Sequence, residues 1–248
     1  MTLTTISKEE FTSFANTVPH RSFIQSAEMA DLLVERGNTV QFIAWKEDDQ
    51  VKVAAILYSL PMTGGLHMEI NSGPLYQEEA MLEPFYAALK DYAKENGAIE
   101  LVIKPYDTYQ TFDSDGNPTS EEQTHFMDTL KNLGYQHDGL TTGYPGGEGD
   151  WHYVKDMEGI TEKNLLQSFS KKGKPLVKKA KSFGIELKRL NRDELQLFKD
   201  ITSSTSDRRD YQDKALDYYQ TFYDSFGDKA DFMIATLNFH HYYTNLEK

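Results

Sequence analysis

The order of periodicities along the chain predicts an α+β fold built on a mixed, mostly antiparallel sheet, and three observations carry it. Two β-rich runs, 39–45 and 51–60, flank the polar Lys46-Glu47-Asp48-Asp49-Gln50, the pattern of an antiparallel hairpin. Segments with apolar residues at helical spacing alternate with further short β-rich runs. The chain has 248 residues, 39% hydrophobic and 12% aromatic, enough for one large or two smaller cores.

Ser7 and Glu10 read as a capping box ahead of Phe11, Phe14 and Ala15, so the first helix is expected over 8–17. A second covers 26–36 and stops at Gly37. The hairpin follows, punctuated by Pro61 and Gly64-Gly65, and 66–70 adds a strand closed by Asn71-Ser72-Gly73-Pro74. Residues 78–96 read as a long amphipathic helix and 99–103 as a strand. A surface turn at 113–118, a helix over 119–133 and a short strand after Gly134 complete a first domain, 1–150. The second, 151–248, opens with a strand at 151–154 and a helix from Thr161. It continues through a lysine-rich helix, a strand at 185–190, a helix capped by Asn191 and Glu194, a helix after Asp213 and a strand at 230–237. This second domain is expected to be incomplete, with an exposed sheet edge near 230–238.

Composition excludes several classes of function. With no cysteine there is no disulfide, thiolate metal site or cysteine nucleophile. The first residues lack the basic start and apolar run of a signal peptide, so a cytoplasmic location is expected, with peripheral contact at the inner membrane face compatible. The glycine-rich 141–149 has no Gly-Lys-Ser/Thr ending and precedes a strand-like run, so it reads as a linker or cleft wall and not a phosphate loop. No Gly-x-Ser-x-Gly or His-Glu-x-x-His motif occurs, and the seven histidines are scattered apart from His240-His241, so neither metal nor cofactor is expected.

Against a net charge of -13, the stretch from Lys171 to Lys181 holds six lysines and no acid. Pro175 suits an early helical turn and Gly184 a left-handed closing residue. On that helix Lys174, Lys178 and Lys181 share one face, while Leu176, Val177, Ala180 and Phe183 share the opposite one. Lysines in a first turn oppose the helix dipole, and an anion docked there would relieve the repulsion, so a phosphate-bearing ligand is expected. An ordinary solvated basic face is the alternative. Further on, Arg208 and Arg209 with Tyr211 offer forked donors and a hydroxyl for phosphate, or else pair with Asp207, Asp210 or Asp213.

Taken in order, Asn71-Ser72-Gly73-Pro74, the segment from Gly139 to Gly147, the lysine stretch from Ser168 to Lys181, and Thr205-x-x-Arg208-x-x-Tyr211 resemble the Fem/MurM (FemABX) family of peptidyltransferases. Within that family, the resemblance points to the MurN-like members. The resemblance implies two acyl-CoA N-acyltransferase-like (GNAT-like) domains, the second carrying a helical arm of which only 240–248 would be present. It implies transfer of an amino acid, alanine by the MurN likeness, from aminoacyl-tRNA to an amine on the stem peptide of a lipid-linked peptidoglycan precursor. Lys174, Lys178 and Lys181 stand where the family usually has arginines, so charge is kept and the bidentate fork lost. Arg208 matches the arginine assigned to the precursor's phosphates. Leu33 replaces a lysine of several relatives, and Lys104 replaces an acid before Pro105, with Asp107 nearby as the candidate general base. The alternative is that substrate or tRNA moves the proton itself. Two other readings stand beside this one: an acyl-CoA-dependent N-acyltransferase, whose pyrophosphate loop is not found, and a non-catalytic relative that holds tRNA or a partner.

Overall fold

The computed structural model describes residues 1–140 and 151–246, in two compact units, Met1–Asp138 and Gly139–Lys248. The glycine-rich 141–149 therefore lies outside the described residues, as does the 150/151 boundary expected from sequence.

The first unit is a three-layer sandwich. Strands β1 (Thr2–Thr5), β2 (Thr39–Glu47), β3 (Gln50–Met62), β4 (Gly65–Asn71) and β6 (Ala98–Lys104) run in the order β1-β2-β3-β4-β6, and β5 (Leu75–Tyr76) pairs with β3. Every pairing is antiparallel except β4 with β6. The hairpin is tighter than expected, because Asp48 and Asp49 both take positive φ (47° and 63°) and turn the chain in two residues. Helix α1 (Lys8–Ala15) starts at Ser7, whose hydroxyl accepts from the Glu10 N–H, and α2 (Ala27–Glu35) starts at Ser26 in the same way.

Strand β3 shows how the layers form. Val53, Ala55 and Leu57 face one side, packing with Ile43, Met68 and Ile70 under Leu82, Phe85, Tyr86 and Leu89 of α3 (Leu82–Glu95). Ala54 and Ile56 face the other, against Phe11, Phe14 and Ala15 of α1 and Ala30 of α2. A strand buried on both faces reads as an unbroken apolar run, as this one does.

Several elements depart from expectation. The long helix begins as a 3₁₀ turn, Glu79–Met81, before α3. The helix expected from residue 119 starts later, as α4 (Thr124–Asn132), because the preceding residues bond back on the excursion: the Thr119 N–H donates to the Thr111 carbonyl and the Gln123 N–H to the Tyr109 carbonyl, both at 2.8 Å. The strand expected after Gly134 does not form. Tyr135 instead sends its ring into the core, and its hydroxyl donates to the Tyr86 carbonyl at 2.9 Å. The expected strand at 151–154 is irregular too, with Tyr153 94% and Val154 83% exposed. The short edge strands β1 and β5 carry too few apolar residues to be read from sequence.

The second unit contains α5 (Leu165–Ser168), α6 (Gly173–Ser182), β7 (Ile185–Leu190), α7 (Leu195–Arg209), α8 (Leu216–Phe226), β8 (Phe232–Leu237) and α9 (Phe239–Leu246). Strands β7 and β8 pair antiparallel. Leu190 and Phe232 face inward, where the rings of Phe198 and Tyr219 meet Phe232 edge-on. Ile185, Leu187, Met233 and Leu237, on the other face, stay exposed. Asn191 and Glu194 form the expected reciprocal capping box before α7. No helix among the described residues is long and apolar enough to cross a membrane.

Tyr86 is fully buried, yet its hydroxyl finds no hydrogen-bond partner among the described residues. Since an unpartnered buried polar group costs roughly 1–3 kcal/mol, Tyr86→Phe is expected to raise the unfolding free energy by about 1 kcal/mol in a denaturant titration. A loss of stability would mean that the hydroxyl is satisfied after all.

Candidate functional site

In the first unit the site grows from the place where β4 leaves β3. Their ladder runs from Met62↔Gly65 to Tyr58↔Glu69, and farther along β3 the partner is β5, at Ala54↔Leu75 and Val53↔Tyr76. Between them the chain turns through Ser72 (φ 52°) and a cis Gly73-Pro74 peptide, with the Gly73 N–H donating to the Lys104 carbonyl at 3.2 Å. The opened strands leave a cleft of about 400 Å³ lined on one side by Thr17, His20 and Arg21, and on the other by Ser72, Tyr76 and Asp107.

Asp107, the candidate base, lies on this cleft, and the Tyr76 hydroxyl donates to its Oδ1 at 2.5 Å. Burial, reinforced by that carboxylate, pushes the Tyr76 phenol well above its usual range, so it remains a donor at any physiological pH. The other carboxylate oxygen takes no protein donor among the described residues. His20 stacks on Tyr106 with ring centroids 5.1 Å apart, and Gln77 Nε2 donates to Thr17 Oγ1 at 2.7 Å, joining the two walls. The Arg21 guanidinium bonds the neutral Asn16 side chain at 3.0 Å.

Lys104 sits three residues before Asp107 but is engaged elsewhere. Its Nζ lies 3.0 Å from Oε1 of buried Glu69, whose Oε2 is 3.2 Å from His67 Nε2, and His67 Nδ1 is 2.6 Å from Glu100. Burial works against ionising Glu69, but hydrogen bonds from Lys104, Tyr58 and His67 overcome it and hold the carboxyl below its ordinary value. Leu33 packs at the margin of the α1–α2 core, as an apolar side chain should.

In the second unit the lysine stretch forms α6 as expected, and Gly184 closes it at φ 73°. Gly184 has a second reason to be glycine: a Cβ there would lie 2.6 Å from His241 Cβ of α9. Val177, Ala180 and Phe183 are half-buried, Phe183 against Tyr242, whereas Leu176, expected on the packed face, is 66% exposed. Lys178 and Lys181 are exposed and Lys174 half-buried, and among the described residues no carboxylate forms an ion pair with any of the six lysines. The first turn offers fewer backbone donors than expected. Ser170 already takes the Gly173 and Lys174 N–H groups, and Pro175 has none. An anion here would be held by ammonium groups and not by the helix end.

Arg208, Arg209 and Tyr211 are exposed at the end of α7, where cations complement the dipole and Asp210 takes the left-handed conformation (φ 53°). Among the described residues, neither arginine forms an ion pair with Asp207, Asp210 or Asp213. Asp213 turns inward instead. Lys199 Nζ donates to its Oδ2 at 2.5 Å, Thr202 and Ser203 each at 3.1 Å, and Tyr219 donates to Oδ1 at 3.0 Å. The Lys199 bond leads these donors in holding the Asp213 carboxyl far below its usual value. No hydrogen bond or ion pair links α6 to the Arg208 turn among the described residues. Sequence reasoning missed Tyr76, which lies in a two-residue strand, and gave Asp213 only as a partner for the arginines, because the donors it meets instead are set by the packing of α7 and α8.

The sequence model of the FemAB family matches residues 6–248. The chain is 28% identical over 253 residues to "Aminoacyltransferase FemB" of Staphylococcus epidermidis, covering 100% of itself and 61% of that protein. It is 26% identical over 254 residues to "Aminoacyltransferase FemA" of Staphylococcus aureus, covering 60% of that protein. It thus spans about three fifths of the length of the curated relatives it matches. A solved structure, FemX, superposes with a TM-score of 0.73 at 20% identity, over 100% of this chain and 60% of that one, and so shares its fold.

Asp213 contributes stability that is fully present above the ordinary carboxyl pKa and is lost as pH falls toward the depressed folded value. Denaturant unfolding of the second unit between pH 7 and pH 3 should therefore weaken with acid in the native chain. In Asp213→Asn the unit should be weaker at pH 7 and less pH-dependent.

Proposed function

This chain belongs to the FemAB family, and from that premise we infer that it carries aminoacyltransferase machinery adding an amino acid from aminoacyl-tRNA, alanine by the MurN likeness, to the stem-peptide bridge of a lipid-linked peptidoglycan precursor. The observation that carries the reading is the match along its whole length to relatives named as aminoacyltransferases. The first unit is read as a GNAT-like domain and the second as belonging to another, with the domain boundary proposed at 150/151, working in the cytoplasm with peripheral contact at the inner membrane face.

The chemistry is ester aminolysis. The acceptor amine attacks the aminoacyl carbonyl carbon, a C–N bond forms, the C–O bond to ribose breaks, and the proton lost by the amine passes to a base while the ribose oxygen gains one. Asp107 suits the amine because Tyr76 occupies one carboxylate oxygen and leaves the other to hold and deprotonate it. The ammonium groups of Lys174, Lys178 and Lys181, uncompensated among the described residues, suit a polyanion, tRNA or the precursor's pyrophosphate, and Arg208, Arg209 and Tyr211 suit phosphate oxygens. Lys104, expected from sequence among the phosphate-binding residues, is paired with Glu69.

The direct test follows label from alanyl-tRNA into a lysine-containing lipid-linked precursor, with seryl-tRNA as control. Transfer supports the reading, and the absence of both transfer and tRNA binding overturns it. Asp107→Asn should lower kcat by about 10²–10⁴-fold, the usual contribution of a general base, and an unchanged kcat would leave the proton to the substrates. Replacing Lys174, Lys178 and Lys181 together by alanine should reduce the slope of log K for tRNA against log salt by about 2–3, at roughly 0.7–0.9 per phosphate contact. An unchanged slope would remove the lysine helix from tRNA binding.

A further inference from the structure

Gln25 lies between α1 and α2 and is 1% exposed, one of the few buried polar side chains among the described residues. Its Oε1 accepts from the Ile56 N–H at 2.9 Å, and its Nε2 donates to the Asn71 carbonyl at 2.6 Å. Extending the β3–β4 register beyond Tyr58↔Glu69 by two residues on each strand would pair Ile56 with Asn71. The Gln25 amide thus stands between the two residues that would bond directly if the strands stayed together. It copies a peptide group, accepting on one side and donating on the other. Gly73 packs against it so closely that a Cβ there would lie 2.7 Å from Gln25 Cδ and 2.9 Å from Nε2. The φ of Gly73 is not positive, so this contact and not backbone strain accounts for glycine in Asn71-Ser72-Gly73-Pro74.

We propose that Gln25 is a positioning residue: its amide, inserted as a substitute ladder rung, holds β3 and β4 apart and fixes the Ser72–Tyr76 wall of the cleft, and through Tyr76 the Asp107 carboxylate. Its consequence for turnover rests on the aminoacyl-transfer reading, but its structural content does not. Glutamate has the same shape and reproduces the rung only while protonated. A neutral carboxyl donates its O–H to the Asn71 carbonyl, whereas the carboxylate sets two acceptors against each other. Gln25→Glu should therefore convert a pH-independent wall into a pH-dependent one.

The experiment is amide hydrogen exchange on the full chain between pH 5 and pH 8, corrected for intrinsic rates, for the native protein, Gln25→Glu and Gln25→Met. Gln25→Glu should protect Gly73 and Tyr76 nearly as well as the native chain at pH 5 and lose at least tenfold by pH 8. Gln25→Met, which keeps bulk but neither hydrogen bond, should expose Ile56, Gly73 and Tyr76 at every pH. The β2–β3 ladder amides should remain protected throughout. In a second test, Gly73→Ala should loosen the wall in the native background and not beside Gln25→Ala, where the colliding amide is gone. Where the native chain transfers label, kcat of Gln25→Glu should fall with pH relative to native, with KM for tRNA unchanged. Unchanged wall exchange in both Gln25 variants, or equal loosening of the β2–β3 ladder, would overturn the proposal. If the native chain transfers nothing while wall exchange behaves as stated, the transfer reading fails and Gln25 keeps its role.

Discussion

Strand β3 is buried on both faces, and a buried strand cannot leave its backbone N–H groups unbonded. Val53 through Leu57 are each at most 1% exposed, so water cannot substitute for a missing neighbour. On one side β2 pairs along nearly the whole strand. On the other, β4 serves the far end and β5 the near end, with a gap between them. An unbonded Ile56 N–H in that gap would cost roughly 1–3 kcal/mol. Gln25 answers this demand from outside the sheet, and the cleft with Tyr76 and Asp107 exists because the strands can separate there without that penalty.

The second unit is organised by charge. Four of its acids are committed to cations: Asp213 to Lys199, with three hydroxyls beside it, Asp224 to Arg192, Asp231 to Arg189, and Glu194 to Lys188. The α6 lysines and the α7 arginines are left without such partners among the described residues. In a chain of net charge -13 this makes a local positive field, able to attract a polyanion that the rest of the surface repels.

Most helices and strands were legible because their signals are local. Ser7 caps where a hydroxyl before an apolar run should, Asn191 and Glu194 reciprocate, and Gly37 and Gly184 stop their helices at positive φ. The two misread strands share one cause. Residues 135–138 and 151–154 contain β-formers, yet a strand exists only when a neighbour bonds it, and Tyr135 is used as a core anchor instead. The lysine face of α6 was legible from spacing alone, but the use of its first-turn donors by Ser170 was not, because that depends on how the preceding turn folds.

By itself the sequence determined the α+β class, the hairpin, the capped helix ends at Ser7 and Asn191 and the reversal of charge at the lysine helix, since each follows from residue type at short spacing. Its order of motifs also carried the resemblance to the family to which the chain belongs. Tertiary structure alone decided which acid meets which donor. Tyr76 and Asp107 are brought together by the parallel pairing of β6 with β4 and the return of β5 to β3, and Gln25 reaches Ile56 and Asn71 from far along the chain. Contacts between residues so distant in sequence depend on strand order and register, which no local pattern encodes.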